Sequence, residues 1–149
     1  MIKDKLKLRG DVSIVVKSAD GSVKDSRAIK NLVVDDGLNF IVSRMKDTTQ
    51  GAMSHMAVGS STTAAAAGQT DLVSILGSRE ALDSTNVSAN AVTYVSSFEA
   101  GEGTGAVTEA GIFNASTSGD MLCRTVFDVV NKQATDSMTI TWTITLTAS

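Results

Sequence analysis

The sequence holds no proline, one cysteine, one histidine, one tryptophan and one tyrosine in 149 residues. Each scarcity removes a class of protein. Without proline there is no stiff proline-rich linker, and the chain reads as one compact unit. Cys123 alone can form neither an intramolecular disulfide nor a thiolate cluster for a metal, so packing and partners must supply the stability. Charged residues stand at 19%, against about 25% in average domains. No apolar run approaches the roughly 20 residues of a membrane-spanning helix. The N-terminus lacks the apolar segment of a secretory signal, which gives the expectation of a soluble protein made in a cytoplasm, with no membrane partner. A net charge of -3 withholds the broad basic surface that generic nucleic-acid binding requires.

What is present suits a mainly β fold. The chain has the length of one domain, at which folding buries roughly 68–70% of the unfolded surface. It is rich in Ser, Thr, Ala and Gly, a mixture that favours exposed β faces and small-residue loops over long surface helices. The clearest strand is the last. Met138, Ile140, Trp142, Ile144 and Leu146 alternate with Thr139, Thr141, Thr143, Thr145 and Thr147, giving one face to bury and one threonine face. Val12, Ile14 and Val16 mark another strand, and Asp20-Gly21 is a hairpin turn from which the chain returns through Val23 to Val33. Leu38, Ile41, Val42 and Met45 follow helical spacing behind Asp35 and Asp36 as capping candidates, which predicts one short amphipathic helix. Met53 to Val58 reads as a strand, Gly59 to Gly68 as an exposed loop and Asp71 to Leu76 as a helical turn. Leu82 to Phe98 reads as a hairpin with its tip at Ser88 to Asn90, and Val107 to Phe113 pairs with Met121 to Val130. The expected architecture is an antiparallel β-sandwich or partly closed barrel with one short α-helix.

Charge is unevenly placed. Residues 1–50 hold 10 of the 13 Lys and Arg but 7 of the 16 Asp and Glu, a local +3, leaving 3 basic and 9 acidic residues, or -6, for the remainder. Lys3, Lys5, Lys7 and Arg9 alternate with Ile2, Leu6 and Leu8 in the first nine positions, broken only by Asp4. These four are the candidate partner-binding residues. Residues 1–9 are either an attachment arm that reaches a neighbouring subunit or the first strand of their own sheet, and residues 10–149 form a single β-rich domain.

Residues that could carry chemistry are few. Gly101, Gly103 and Ala106 match G-x-G-x-x-A, but a phosphate-binding turn must open a helix, and the residues that follow read as strand. Cys123 and His55 could pair as thiol and base, yet each falls in a strand and reads as structural. Glu99, Glu102 and Glu109 surround the glycine run and could hold a hard cation, although their spacing fits no standard loop. Arg9-Gly10-Asp11 is assigned to a strand end. No nucleophile elbow, phosphate-binding loop or zinc-binding helix motif occurs. The expectation is a protein that is not an enzyme and carries no cofactor.

Three segments in order carry a resemblance. Lys30-Asn31-Leu32-Val33-Val34 leads into Gly37-Leu38-Asn39-Phe40-Ile41, then come Met53 to Gly59, then Thr108 to Asn114. Together they resemble small virion proteins of tailed bacteriophages. The order is similar to that of the phage tail-fibre N-terminal domain: a helix, then Ala57-Val58-Gly59 with a small-residue loop, then Glu109 to Phe113 and a turn. No fibre shaft follows in this sequence, which implies an adaptor or a reused module. A freestanding domain of this composition also resembles the decoration or cement proteins of phage capsids, and that position is preferred. The resemblance implies a non-enzymatic virion component that binds the outer capsid lattice and reinforces it, with copies of itself and the major capsid protein as partners and trimers as the leading arrangement. The alternative is a tail or baseplate adaptor that attaches a fibre and contacts tail proteins. A carbohydrate- or receptor-binding β module is a further alternative, weakened by the small number of aromatic residues.

Overall fold

Apolar residues at a period of two build two sheets that can bury a face only against each other. In the computed structural model, which describes residues 5–46 and 50–148, the chain runs through β1 (Leu6–Lys17), β2 (Val23–Lys30), β3 (Leu32–Val33), helix α1 (Asp35–Arg44), β4 (His55–Gly59), β5 (Glu80–Ala81), β6 (Ser84–Ser88), β7 (Ala91–Phe98), β8 (Gly105–Phe113), β9 (Met121–Lys132) and β10 (Ser137–Ala148). One sheet has the strand order β2-β1-β10-β7-β6 and the other β3-β9-β8-β4-β5, each of five strands. All pairings are antiparallel. The molecule is therefore a β-sandwich with one short helix among the described residues, and the barrel alternative falls because the two sheets keep separate edges.

The core lies between the sheets. Val12, Ile14 and Val16 of β1, Ile140, Trp142 and Ile144 of β10, and Tyr94 and Phe98 of β7 meet Met56 and Val58 of β4, Val107, Ala110 and Ile112 of β8, and Phe127 and Val130 of β9. Trp142 is at its centre, in register with Val12 on one side and Tyr94 on the other. Its ring is fully buried and its Nε1–H meets no acceptor. Burial raises the Tyr94 phenol to about 12, with Cys123 close by as a lesser cause.

Several local readings are revised. The chain does not return from the Asp20-Gly21 turn as one strand through Val33. It leaves the first sheet after Lys30 and joins the second at Leu32. Neither Asp35 nor Asp36 caps α1; Val34 occupies the cap position without a side-chain bond. Asp36 instead accepts from the Met121 N–H at 2.7 Å and ties the helix to β9. Burial holds its carboxyl above the ordinary range. Gly37 allows that contact, since a Cβ there would lie 2.0 Å from the Leu122 carbonyl oxygen. Asp71 to Leu76 is not a helical turn. It is an irregular segment with bends that meets β4 through a single bridge between Ile75 and Gly59, with Leu76 N–H donating to Val58 O at 2.8 Å. Arg9-Gly10-Asp11 lies inside β1 rather than at its end.

Because Trp142 fills the centre of the sandwich, Trp142→Ala is expected to cost about 3–5 kcal/mol in urea unfolding. Trp142→Phe removes the unpartnered N–H along with ring volume, so its cost is expected to be clearly smaller. A loss for Trp142→Phe as large as that for Trp142→Ala would overturn the central packing role given to the ring.

Candidate functional site

The second sheet buries charge on the face turned away from the first. Glu109 on β8 pairs in register with Val126 and Gly111 with Arg124, so the two charged residues are diagonal neighbours on adjacent strands. Arg124 Nε donates to Glu109 Oε2 at 3.0 Å, and Nη2 approaches the same oxygen at 2.8 Å, too far off line for a hydrogen bond. Both side chains are fully buried. Backbone N–H groups complete the carboxylate's shell: Ser74 at 2.7 Å and Ser61 at 3.3 Å on Oε1, and Val73 at 3.1 Å on Oε2. A carboxylate withdrawn from water needs this many donors, or it costs several kcal/mol.

Those donors belong to one strap. Residues 60–74 leave β4, cross the outer face of the sheet and return. Its crossing is held by Thr108 Oγ1 donating to Ser61 O at 2.8 Å and by Ser60 N–H donating to Ser74 O at 2.8 Å. Arg124 Nη1 reaches Gln69 Oε1 at 3.0 Å, and Gln69 Nε2 donates to Ala64 O at 3.3 Å, which fixes the loop from inside. The Asp35 N–H donates to Ala67 O at 2.8 Å and joins the strap to the start of α1. Gly59 makes room, because a Cβ there would stand 2.4 Å from Glu109 Oε1. The exposed loop expected at Gly59 to Gly68 is thus a fastened cover over Glu109 and Arg124.

Beside the strap a cleft of about 400 Å³ opens between residues 71–79 and 116–118. Its wall is Arg79, stacked 3.6 Å from the Phe113 ring centroid and donating to Ala115 O at 2.9 Å and Ser118 O at 2.7 Å. Its charged lining residues, Asp71 and Arg79, pair with each other at 3.3 Å. The remaining polar side chains of the lining are the hydroxyl groups of Ser78, Ser116, Thr117 and Ser118.

The other candidates are dispersed. Glu109 is committed to Arg124, whereas Glu102 Oε2 accepts from the Glu99 N–H at 2.8 Å in the turn before β8. The three glutamates do not converge, and no group of three acidic, His or Cys side chains suited to a metal occurs among the described residues. Cys123 lies in the core, where burial pushes its thiol well above the ordinary value. His55 Nδ1 is 2.7 Å from Ser54 Oγ. Gly101 and Gly103 form a turn that leads into β8 and opens no helix.

Lys3 lies outside the described residues. Lys5, Lys7 and Arg9 are exposed, with Lys7 and Arg9 on β1, where Leu6 to Arg9 pair with β10 as the first strand of their own sheet. Arg9 is partly committed, its Nε donating to Asp11 at 2.7 Å. The three basic residues beyond position 50 are all interior. Arg79 is 5% exposed and Arg124 fully buried, and buried Lys132 donates from Nζ to Glu99 O at 2.9 Å. Asp83, Glu99 and Asp128 remain outside, so the surface is more polarised than the composition indicates. Helix α1 adds an apolar stripe: Leu38, Val42 and Met45 are 42%, 64% and 83% exposed, while Gly37 and Phe40 face inward. An amphipathic helix ordinarily buries its apolar set. Comparison with protein-family models, curated sequences and solved structures finds no match to this chain.

Glu109→Gln leaves Arg124 buried without a counter-charge, and is expected to cost about 3–5 kcal/mol in urea unfolding. It should also open residues 60–74 to thermolysin while the isolated sheets still resist. A second expectation concerns acid. Lys24 Nζ sits 2.6 Å from Asp136 Oδ2, and its hydrogen bond, followed by that of the Gln133 N–H at 2.8 Å, holds the Asp136 carboxyl below its ordinary 3.8. A depressed pKa contributes stability that is complete above the unfolded value and lost as pH falls through the folded one. Asp136→Asn should therefore lower stability at neutral pH and flatten its decline below about pH 4, as read by denaturation across pH.

Proposed function

We propose that this protein is a non-enzymatic structural component of a tailed-phage virion that associates with copies of itself and binds the outer capsid lattice as a decoration or cement protein. The observation that carries the assembly part is the outward stripe of Leu38, Val42 and Met45 on α1. An apolar helix face left in water marks a surface that another protein covers. The polar groups that chemistry would need are meanwhile spent inside the fold, on the strap and on Arg79. The surface polarity supports contacts between unlike ends of neighbouring subunits, with basic β1 meeting acidic groups of the later half.

The virion assignment rests on the resemblance in motif order. The fold supports treating those motifs as one unit, since Ala57, Val58 and Gly59 stand in register with Gly111, Ala110 and Glu109. Such a protein is made in the bacterial host's cytoplasm and ends in the particle, with the major capsid protein as its partner; in a tail or baseplate position the partners would be tail proteins. The sugar-binding reading loses ground because all six aromatic residues, Phe40, Tyr94, Phe98, Phe113, Phe127 and Trp142, are buried and leave no ring for stacking.

The experiment is occupancy on purified particles. Val42→Lys with Met45→Lys changes exposed positions, so its folding stability should stay within about 0.5 kcal/mol of the parent. Binding to capsids should fall to background. Binding to tails alone moves the protein to the adaptor position, and undiminished capsid binding by the double variant overturns the role given to α1.

A further inference from the structure

Every open sheet has two edges, and an edge strand left bare invites another strand to pair with it. Three of the four edges here are guarded. β2 carries Lys24, Asp25, Arg27 and Lys30 and has an irregular register near Val16 and Lys17. β3 and β5 are two residues long. β6 has no such device. Its five residues are all exposed, its register with β7 is unbroken from Ser84 opposite Val95 to Ser88 opposite Ala91, and it bears no charge.

We infer that β6 is a docking edge for the same strand of a second copy, paired antiparallel across a two-fold axis so that two five-stranded sheets become one sheet of twice the width. The inference rests on the self-association proposed above and adds to its contacts a two-fold one between like edges. The second copy is favoured by charge. From Ser84 to Phe98 there is no charged residue, and a two-fold contact brings each residue near its own counterpart, where any charge would meet its like. A partner of different sequence would be steered by opposite charge, which this hairpin does not offer.

The side chains also suit the symmetry. Centred on Asn86, the pairing sets Ser84 opposite Ser88 of the second copy, Thr85 opposite Val87, and Asn86 opposite its own equivalent. Asn86 and the two serines share the outer face, where their hydroxyl and amide groups can hydrogen-bond across the axis. Val87 stands 72% exposed on the face it shares with Val92, its partner on β7. There Val87, Ala89, Val92 and Leu146 line a shallow, largely apolar depression of about 350 Å³. Pairing would cover Val87 and extend this strip into the second copy. A five-residue strand pair buries less than the roughly 1,200 Å² of a stable standalone interface, so the contact is expected to be reversible and concentration-dependent.

The test uses the full chain in sedimentation velocity over a range of concentrations. Asn86→Lys puts two like charges face to face on an exposed position; it should keep the parent's melting curve and weaken self-association about tenfold or more, a defect that added salt partly relieves. Asn86→Cys should give a disulfide-linked dimer on mild oxidation, because directly opposed Cβ atoms come within roughly 4.5–5.5 Å. Ser26→Cys on the guarded β2 edge should not. Self-association that survives Asn86→Lys, without cross-linking through Asn86→Cys, overturns the β6 edge and leaves the assembly reading intact. A parent chain that stays monomeric at every concentration and binds no particle overturns both.

Discussion

The buried pair of Glu109 and Arg124 governs what the second sheet can be. Two charges on the face away from the core cannot be left half-dry, because a carboxylate taken from water without donors costs far more than one domain can spare. The carboxylate's further donors come from the backbone of the strap at 60–74, and the same strap supplies Gln69 to Arg124. Once the strap is fastened, Leu72 is delivered onto Phe113, Ala57, Val34 and Met121 as a second small core. The strap also meets the start of α1 through the Asp35 N–H. One ion pair thus specifies the path of a loop, the cover of a sheet and the seat of a helix.

This pair explains a misreading of the sequence. In the sequence Glu109 groups with Glu99 and Glu102 around the glycine run as a candidate cation ligand. It is in fact the lone acid within β8, placed beside the lone arginine within β9. The signal was present as the single acid of β8 and one of the three charged residues of β9, Arg124 beside Asp128 and Lys132, but register decides which of these meet. The bulge between Val107 and Glu109 shifts that register in a way that spacing alone does not reveal.

Elsewhere, legibility followed the strength of periodicity. The Met138 to Leu146 alternation, the Asp20-Gly21 turn and the strand pair flanking residues 114–120 were readable because each rests on local geometry. The helix was readable as a helix but not in its orientation. Helical spacing groups Leu38, Ile41, Val42 and Met45, yet Gly37 admits the Leu122 backbone so closely that the side with Phe40 turns inward, taking Ile41 onto the core and leaving the other three outside. The outward exposure of Leu38, Val42 and Met45 follows from that single small residue. Likewise the sequence counts three late cations, but only packing places Arg79, Arg124 and Lys132 inside and leaves the later half outwardly acidic.

The position of β10 bears on how the molecule comes into being. It is the last strand in the chain and lies between β1 and β7, in register with both. During synthesis the β1–β2 and β6–β7 hairpins exist long before the strand that joins them. Each can form locally, but neither has a complete sheet to enter until β10 has emerged with Trp142. Closure then depends on the pairing of β10 with β1, far apart in sequence, the kind of long-range contact that makes folding slow. The final strand acts as a keystone, and the sandwich assembles late and all at once.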